Sequence, residues 1–223
     1  AIKEVVARSG LQPSDIDEVI FGCVLPAGLK QGPARQAMRQ AGLPDSTGAT
    51  TINKICGSGM KAVMQAADAI KAGSAQIVIA GGMESMSNAP YLLEKARAGY
   101  RMGHGEIKDH MFQEGLEDAE TGLSMGVLAQ DMADKKGYTR EQQDTFAISS
   151  LNKAVTAIHN GYFKAEIVPV TVSGRKGDVI VEQDEQPLNA KADKIPTLRP
   201  AFKKDGTITA ANASSISDGA SAL

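Results

Sequence analysis

The stretch from Thr50 to Ala80 constrains the fold more than any other. Thr50 to Ile55 is rich in β-formers and reads as a strand. Gly57-Ser58-Gly59 makes a sharp corner. Met60, Val63, Met64, Ala67 and Ile70 then recur at helical spacing, and Gly73 is the stop. Gln76 to Ala80 is a short apolar strand, closed by Gly81-Gly82. Strand, helix and strand of this size form a βαβ unit, which implies parallel strands and a right-handed crossover.

The flanking segments extend the same pattern. Ala1 to Arg8 reads as helix, with Ile2, Val5 and Val6 on one face, ended by Gly10 and Pro13. Asp17 to Val24 is a buried strand, and Pro33 opens a helix with the small face Ala34, Ala37, Met38 and Ala41. After Asn88 the texture turns polar and aperiodic. Residues 125–136 are helical, and Thr139 and Gln142 have capping-box spacing ahead of a helix that Asn160-Gly161 terminates. Glu166 to Ser173 and Asp178 to Glu182 form a hairpin around Gly174 and Gly177. Residues 186–200 hold three prolines and read as an extended loop. The chain therefore divides into an α/β layer over 1–88, an insertion over 89–208 and a return to the layer over 209–223. Ser217 to Leu223 reads as the start of a helix. A chain that starts inside one element and stops inside another reads as a piece of a longer protein, with frayed natural termini as the alternative.

Composition excludes several classes. Lys+Arg 24 against Asp+Glu 26 leaves a net charge of -2, which argues against a broad nucleic-acid surface. No apolar run approaches the roughly 18–20 residues needed to span a bilayer. Two cysteines among 223 residues are too few for a disulfide framework, which points to a reducing, cytoplasmic compartment. No metal-ligand spacing stands out.

Cys56 is the candidate for chemistry. It ends a strand immediately before a helix, where unpaired N–H groups and the helix dipole favour a thiolate. The flanking glycines remove side chains that would block a substrate. A magnitude limits the effect. A helix end contributes about 0.3–2 kcal/mol, and about 1.36 kcal/mol moves a pKa by one. The thiolate remains a minority at neutral pH, so a general base such as a histidine is needed. Position alone leaves a buried filler role equally open. Cys23, inside an apolar strand, reads as filler. His104, His110 and His159 read as polar surface or loop residues.

Residues 53–62, Asn-Lys-Ile-Cys-Gly-Ser-Gly-Met-Lys-Ala, resemble the nucleophile segment of the thiolases, the family of acetyl-CoA acetyltransferases and 3-ketoacyl-CoA thiolases. Gly81-Gly82-Met83-Glu84-Ser85-Met86-Ser87 resembles the family's glycine-rich strand end. Leu198-Arg199-Pro200-Ala201-Phe202 and Thr209-Ala210-Ala211-Asn212-Ala213-Ser214 resemble its return from a loop domain. The resemblance covers essentially the whole chain.

It implies a layered α/β fold of two similar halves, of which this chain is most of the first half carrying an inserted α+β loop domain. It implies a reversible Claisen condensation through an acyl-enzyme on Cys56, with coenzyme A thioesters as substrates and no metal or redox cofactor. The Cys56 backbone N–H is then a candidate oxyanion donor. Ser124 and Met125, with Phe202, Ala210 and Ser214, match positions that hold coenzyme A; short-chain members carry His where this chain has Ser124. Arg199, Lys203 and Lys204 are candidates for its phosphates, or ordinary solvated charges. The resemblance further implies a homo-oligomer, dimer or tetramer, and a place in fatty acid metabolism. The second half's Asn-Glu and Gly-His-Pro motifs and its glycine-flanked cysteine do not occur here, so this stretch alone is expected to be inactive. A ketoacyl-synthase-like condensing enzyme and a non-catalytic fragment are the competing readings.

Overall fold

A strand that is apolar along its whole length must be covered on both faces. The computed structural model, which describes residues 1–223, shows how this is done. It divides into two compact units, Ala1–Gly122 with Ile216–Leu223, and Leu123–Ser215.

The first unit is built on a four-stranded sheet in the order β2-β1-β3-β8, with β1 Glu18–Gly22, β2 Gly48–Ile52, β3 Val78–Ser85 and β8 Asp218–Ala222. β1 runs parallel to β2 and β3, and β8 is antiparallel to β3. Three helices serve it: α1 Ile2–Ser9, α2 Pro33–Gln40 and α3 Ser58–Lys71. Alternate residues of β1 face opposite ways, as the pleat requires. Val19 and Phe21 join Ile2, Val6, Ala34, Met38 and Ile79 in one core. Ile20 joins Ala62, Ala66 and Ala80 in the other. Gly10 ends α1 in the left-handed conformation, as its position predicts.

Several features differ from the sequence reading. Residues 218–222 are a strand, not the start of a helix: their small side chains suit either state, and pairing with β3 selects the extended one. β3 does not stop at Gly81-Gly82 but runs on to Ser85. α3 is present, yet its apolar stripe faces outward: Met60 is 75% and Met64 53% exposed, with Val63 and Ile70 also exposed. The buried stripe is Ser58, Ala62 and Ala66, whose small side chains let the helix lie close to the sheet. The boundaries also shift. The units part at 122/123 and 215/216 rather than 88/89 and 208/209. Residues 89–122 stay with the first unit through contacts such as Ala27 N–H donating to His110 Nε2 (3.3 Å), and within the segment β4 Tyr91–Leu92 pairs antiparallel with β5 Lys108–Asp109. His110 is thus buried rather than a surface group.

Two surface carboxylates pin this sheet. Asp17 accepts from the N–H groups of Gln76 (2.6 Å) and Ile77 (3.0 Å) at the start of β3. Asp218 accepts from the Ser87 hydroxyl and N–H and from the Ser85 hydroxyl, joining the far end of β3 to β8. The N–H groups of Ile77 and Gln76 hold the Asp17 carboxyl below its ordinary value, and the Ser87 hydroxyl does the same for Asp218. The unfolded chain therefore takes up protons first on acidification. The stabilisation is complete above the ordinary carboxylate range and is lost as pH falls through the folded-state values. Melting temperature measured from about pH 5 to pH 2 should fall less steeply in Asp17→Asn and Asp218→Asn than in wild type. Parallel curves would disprove the linkage.

The second unit contains α4 Met125–Lys136, α5 Arg140–His159, the hairpin β6 Val170–Gly174 and β7 Gly177–Val181, and a short helix α6 Glu185–Asn189. The capping box of Thr139 and Gln142 forms as its spacing predicts. Residues 186–200 are not simply extended: they contain most of α6 and a 3-10 helix, Ala192–Thr197. Buried polar groups organise this unit. Gln130 Oε1 accepts from the N–H groups of Thr207 (2.8 Å) and Ile208 (3.0 Å), while its Nε2 donates to Asp134 and Thr207. Gln130→Leu strands two backbone N–H groups, at about 1–3 kcal/mol each. A loss of about 2–5 kcal/mol in denaturant unfolding is expected, and a change under about 1 kcal/mol would contradict it.

Candidate active site

The corner after β2 is built by hydrogen bonds that are local in sequence. Gly57 N–H donates to Lys54 O (3.1 Å) and Ser58 N–H to Ile55 O (3.0 Å), so two tight turns overlap around Cys56. Ser58 is buried, and its hydroxyl donates to Ile55 O (2.6 Å) and accepts from Lys54 N–H (2.8 Å). Asn53 Oδ1 accepts from Ile55 N–H (2.9 Å), and its Nδ2 lies 3.4 Å from Val24 O as a donor. Ile55 is held at φ 49°. A β-branched residue in the left-handed region carries about 1–3 kcal/mol of strain.

Cys56 follows this strained residue and is exposed. α3 begins two positions later, with Gly57 as its N-cap, and its first internal bond runs from Lys61 N–H to Gly57 O (2.8 Å). The thiol opens on a cleft of about 400 Å³ whose walls include Gly22, Val24, Gly59, Gly82, Glu84 and Ser221. Within these 223 residues the thiol is exposed rather than packed as buried filler. No histidine lines this cleft.

Glycine is required where α3 meets the sheet. A Cβ on Gly22 would stand 2.6 Å from both C and Cβ of Ser58 and 2.7 Å from Gly59 N. Gly82, paired with Gly22 in the sheet, would bring a Cβ to 3.4 Å from Gly59 Cα. This close approach lets α3 begin directly over the strand ends.

Cys23 differs in every respect. It is buried at 2% exposure, and its thiol lies 3.7 Å from Glu84 Oε1. Burial, reinforced by the Glu84 carboxylate, pushes its pKa up to about 11. Glu84 also accepts from Val24 N–H (2.8 Å) and Leu25 N–H (2.9 Å), fixing the loop that forms one cleft wall. Sequence reasoning missed Glu84, Asp218, Asn53 and Ser58 as site-building residues. An acidic residue just after Gly81-Gly82, at the end of a buried strand, was the available signal for Glu84.

The five residues matched to coenzyme A positions, Ser124, Met125, Phe202, Ala210 and Ser214, and the basic candidates Arg199, Lys203 and Lys204 all lie in the second unit. Ser124 is the N-cap of α4, its hydroxyl 3.4 Å from Val127 N–H as acceptor, and Met125 follows it, exposed. The Phe202 ring packs on the backbone of Gly126, leaving no room for a Cβ there. Ala210 and Ser214 line an open groove of about 760 Å³ with Phe146, Leu151, Lys194 and Leu198. Asn212 shapes that segment: its Oδ1 accepts from Thr209 N–H (2.7 Å) and its Nδ2 donates to Asp144 (2.9 Å). Asp144 is in turn held by Arg140 (2.6 Å). The structure thus gathers Ala210 and Ser214 at one groove, while Phe202 packs on Gly126, the residue after Met125. Lys203 is engaged by Asp134 (2.6 Å), which raises the lysine pKa and lowers that of the aspartate. No three His, Cys, Asp or Glu side chains gather as a metal site. No helix is long and apolar enough to cross a membrane.

Comparison with known proteins agrees with this fold. The chain is 51% identical over 224 residues to an acetyl-CoA acetyltransferase of Escherichia coli, covering 100% of this chain and 57% of that protein. It is 50% identical over 222 residues to an acetyl-CoA acetyltransferase of Syntrophomonas wolfei, covering 99% and 56%. The crystal structure of the Bacillus anthracis acetyl-CoA acetyltransferase superposes with a TM-score of 0.94 at 41% identity, covering 99% of this chain and 56% of that one. A thiolase from Ascaris suum, solved in complex with coenzyme A, superposes at 0.92 and 43% identity, covering 100% and 56%. The chain thus spans little more than half the length of these relatives. The thiolase N-terminal domain model matches residues 1–223, and the chain belongs to the thiolase family.

Proposed function

We propose that Cys56 accepts an acyl group from a coenzyme A thioester, as the nucleophile of a thiolase-type acetyl-CoA acetyltransferase. The observation that carries this reading is an exposed thiol on a strained turn, at the start of a helix and facing an open cleft.

In the first half-reaction the Cys56 thiolate attacks the thioester carbonyl. The tetrahedral oxyanion collapses, the C–S bond to coenzyme A breaks, and the departing thiolate takes a proton. One thioester replaces another, so the step is close to balanced. Preorganised N–H groups near the helix start, that of Cys56 among them, are suited to hold the oxyanion. In the second half-reaction an acetyl-CoA deprotonated at its α-carbon attacks the acyl-enzyme and releases Cys56. No histidine or second cysteine lines the cleft, so we assign the acceptor of that proton and the base that activates Cys56 to the part of the relatives' length not spanned here. The 223 residues alone are therefore expected not to turn over. The thioester acidifies its own α-proton, so the proposed chemistry calls for no metal or redox cofactor.

The groove at Ala210 and Ser214, with apolar walls and a lysine rim, suits the pantetheine and nucleotide parts of coenzyme A. Met125 and Phe202 are assigned to the same ligand, with Ser124 fixing Met125 as its helix cap. A 43% identical thiolase solved in complex with coenzyme A supports coenzyme A as the class of ligand. The exposed stripe of α3 supports assembly with further protein, including a homo-oligomer. Two free thiols support a reducing, cytoplasmic setting.

The protein at its native length, incubated with acetyl-CoA and digested, should carry one acetyl group on the Cys56 peptide and none on the Cys23 peptide. An unmodified Cys56 would remove the reading.

A further inference from the structure

The mechanism above uses the Cys56 sulfur but does not explain why the preceding residue is strained. The hydrogen bonds around it do. The polar groups of Lys54 and Ile55 are tied by two side chains: Ser58 Oγ binds Lys54 N–H and Ile55 O, and Asn53 Oδ1 binds Ile55 N–H. The Ser58 hydroxyl makes no bond to the sheet beneath it; both its bonds go back to the turn. The start of α3 is held independently by the Lys61 to Gly57 bond. The Ser58 hydroxyl is therefore not needed to begin the helix; it adds to the backbone bonds Gly57 N–H to Lys54 O and Ser58 N–H to Ile55 O that hold the turn, and it gives Lys54 N–H its acceptor.

We propose that Ser58 is a positioning residue for Cys56: its hydroxyl locks Ile55 in the left-handed conformation, and that conformation places the thiol at the mouth of the cleft. Asn53 assists from the exposed side. The Ser58 hydroxyl never touches the acyl group. Without it, Lys54 N–H loses its acceptor, Ile55 relaxes toward an ordinary backbone conformation, and Cys56 is redirected. The consequence for transfer rests on the acyl-acceptor reading above; the consequence for thiol placement does not.

A double-mutant cycle tests this. Glycine adopts positive φ without a steric penalty, so Ile55→Gly removes the need for a lock. In the wild-type background Ser58→Ala should slow Cys56 acetylation by acetyl-CoA about 10- to 100-fold, the scale of a misplaced reacting group. In the Ile55→Gly background the same substitution should cost little. Purely additive losses would overturn the proposal, as would wild-type acetylation in Ser58→Ala. Asn53→Ala should show the same coupling to Ile55→Gly; because Asn53 is exposed, it provides the test even if Ser58→Ala melts. Iodoacetamide alkylation of Cys56 is run alongside, with buried Cys23 as internal reference. If wild type alkylates but never acetylates, the acyl-transfer reading fails, and coupling in the alkylation rates then decides the positioning claim either way.

Discussion

Cys56→Ala is expected to leave a folded protein that binds coenzyme A thioesters and forms no acyl-enzyme. Loss of a covalent nucleophile lowers turnover on the order of 10^4- to 10^6-fold, because every productive route passes through it. Stability should barely change, since the thiol is exposed and supports no core contact. The comparison requires the protein at native length, with single-turnover acetylation and the melting temperature measured on both forms. Residual turnover within about tenfold of wild type would show that the reaction does not run through this sulfur. Cys23→Ala acts as the counterpart: it removes a buried group packed against Glu84, so it should affect stability and leave acetylation intact.

Gly22→Ala is expected to disturb both the fold and the site with a single methyl group. The added carbon would meet backbone atoms of Ser58 and Gly59, which cannot rotate away as a side-chain tip can. Either β1 or the start of α3 must shift. Overpacking of this kind costs about 1–3 kcal/mol, and a domain of this size loses about 2–4 °C per kcal/mol. A fall in melting temperature of roughly 2–12 °C follows. The shift occurs directly under Ser58, so acylation should fall as well, by about 10²-fold for a displacement near 1 Å. Gly219→Ala is the stability control, because a Cβ there meets nothing within 4 Å. Equal melting temperatures for the two variants would contradict the close-packing argument.

Much of this site was legible in the sequence. The glycine corner, the helix stop and the capping box at Thr139 are local signals that the structure shows, whereas the strand expected over Thr50 to Ile55 ends at Ile52 and a turn over 53–57 separates it from α3. What escaped was set by tertiary partners. Glycine pairs usually interrupt strands, yet Gly81 and Gly82 continue β3 because β1 pairs with them on one side and β8 on the other. The apolar period of α3 marked a helix correctly but pointed to the wrong face. Close approach to Gly22 and Gly82 favours serine and alanine inward over methionine. The run Asp218–Ala222 has no strong preference of its own, so only its partner strand makes it β. Asn53, Ser58 and Glu84 each act through a pair of hydrogen bonds to backbone groups, which leave no periodic trace.

The clamp on β8 bears on how the molecule is made. Asp218 grips Ser85 and Ser87 across 131 to 133 positions of chain, and β8 supplies Gly219, Ala220 and Ser221 to the lining around the nucleophile. During synthesis the thiol emerges long before that wall exists, and distant pairings of this kind are the slow ones to close. A ribosome-bound chain stalled ahead of Asp218 would thus display a bare sulfur beside an unfinished sheet edge.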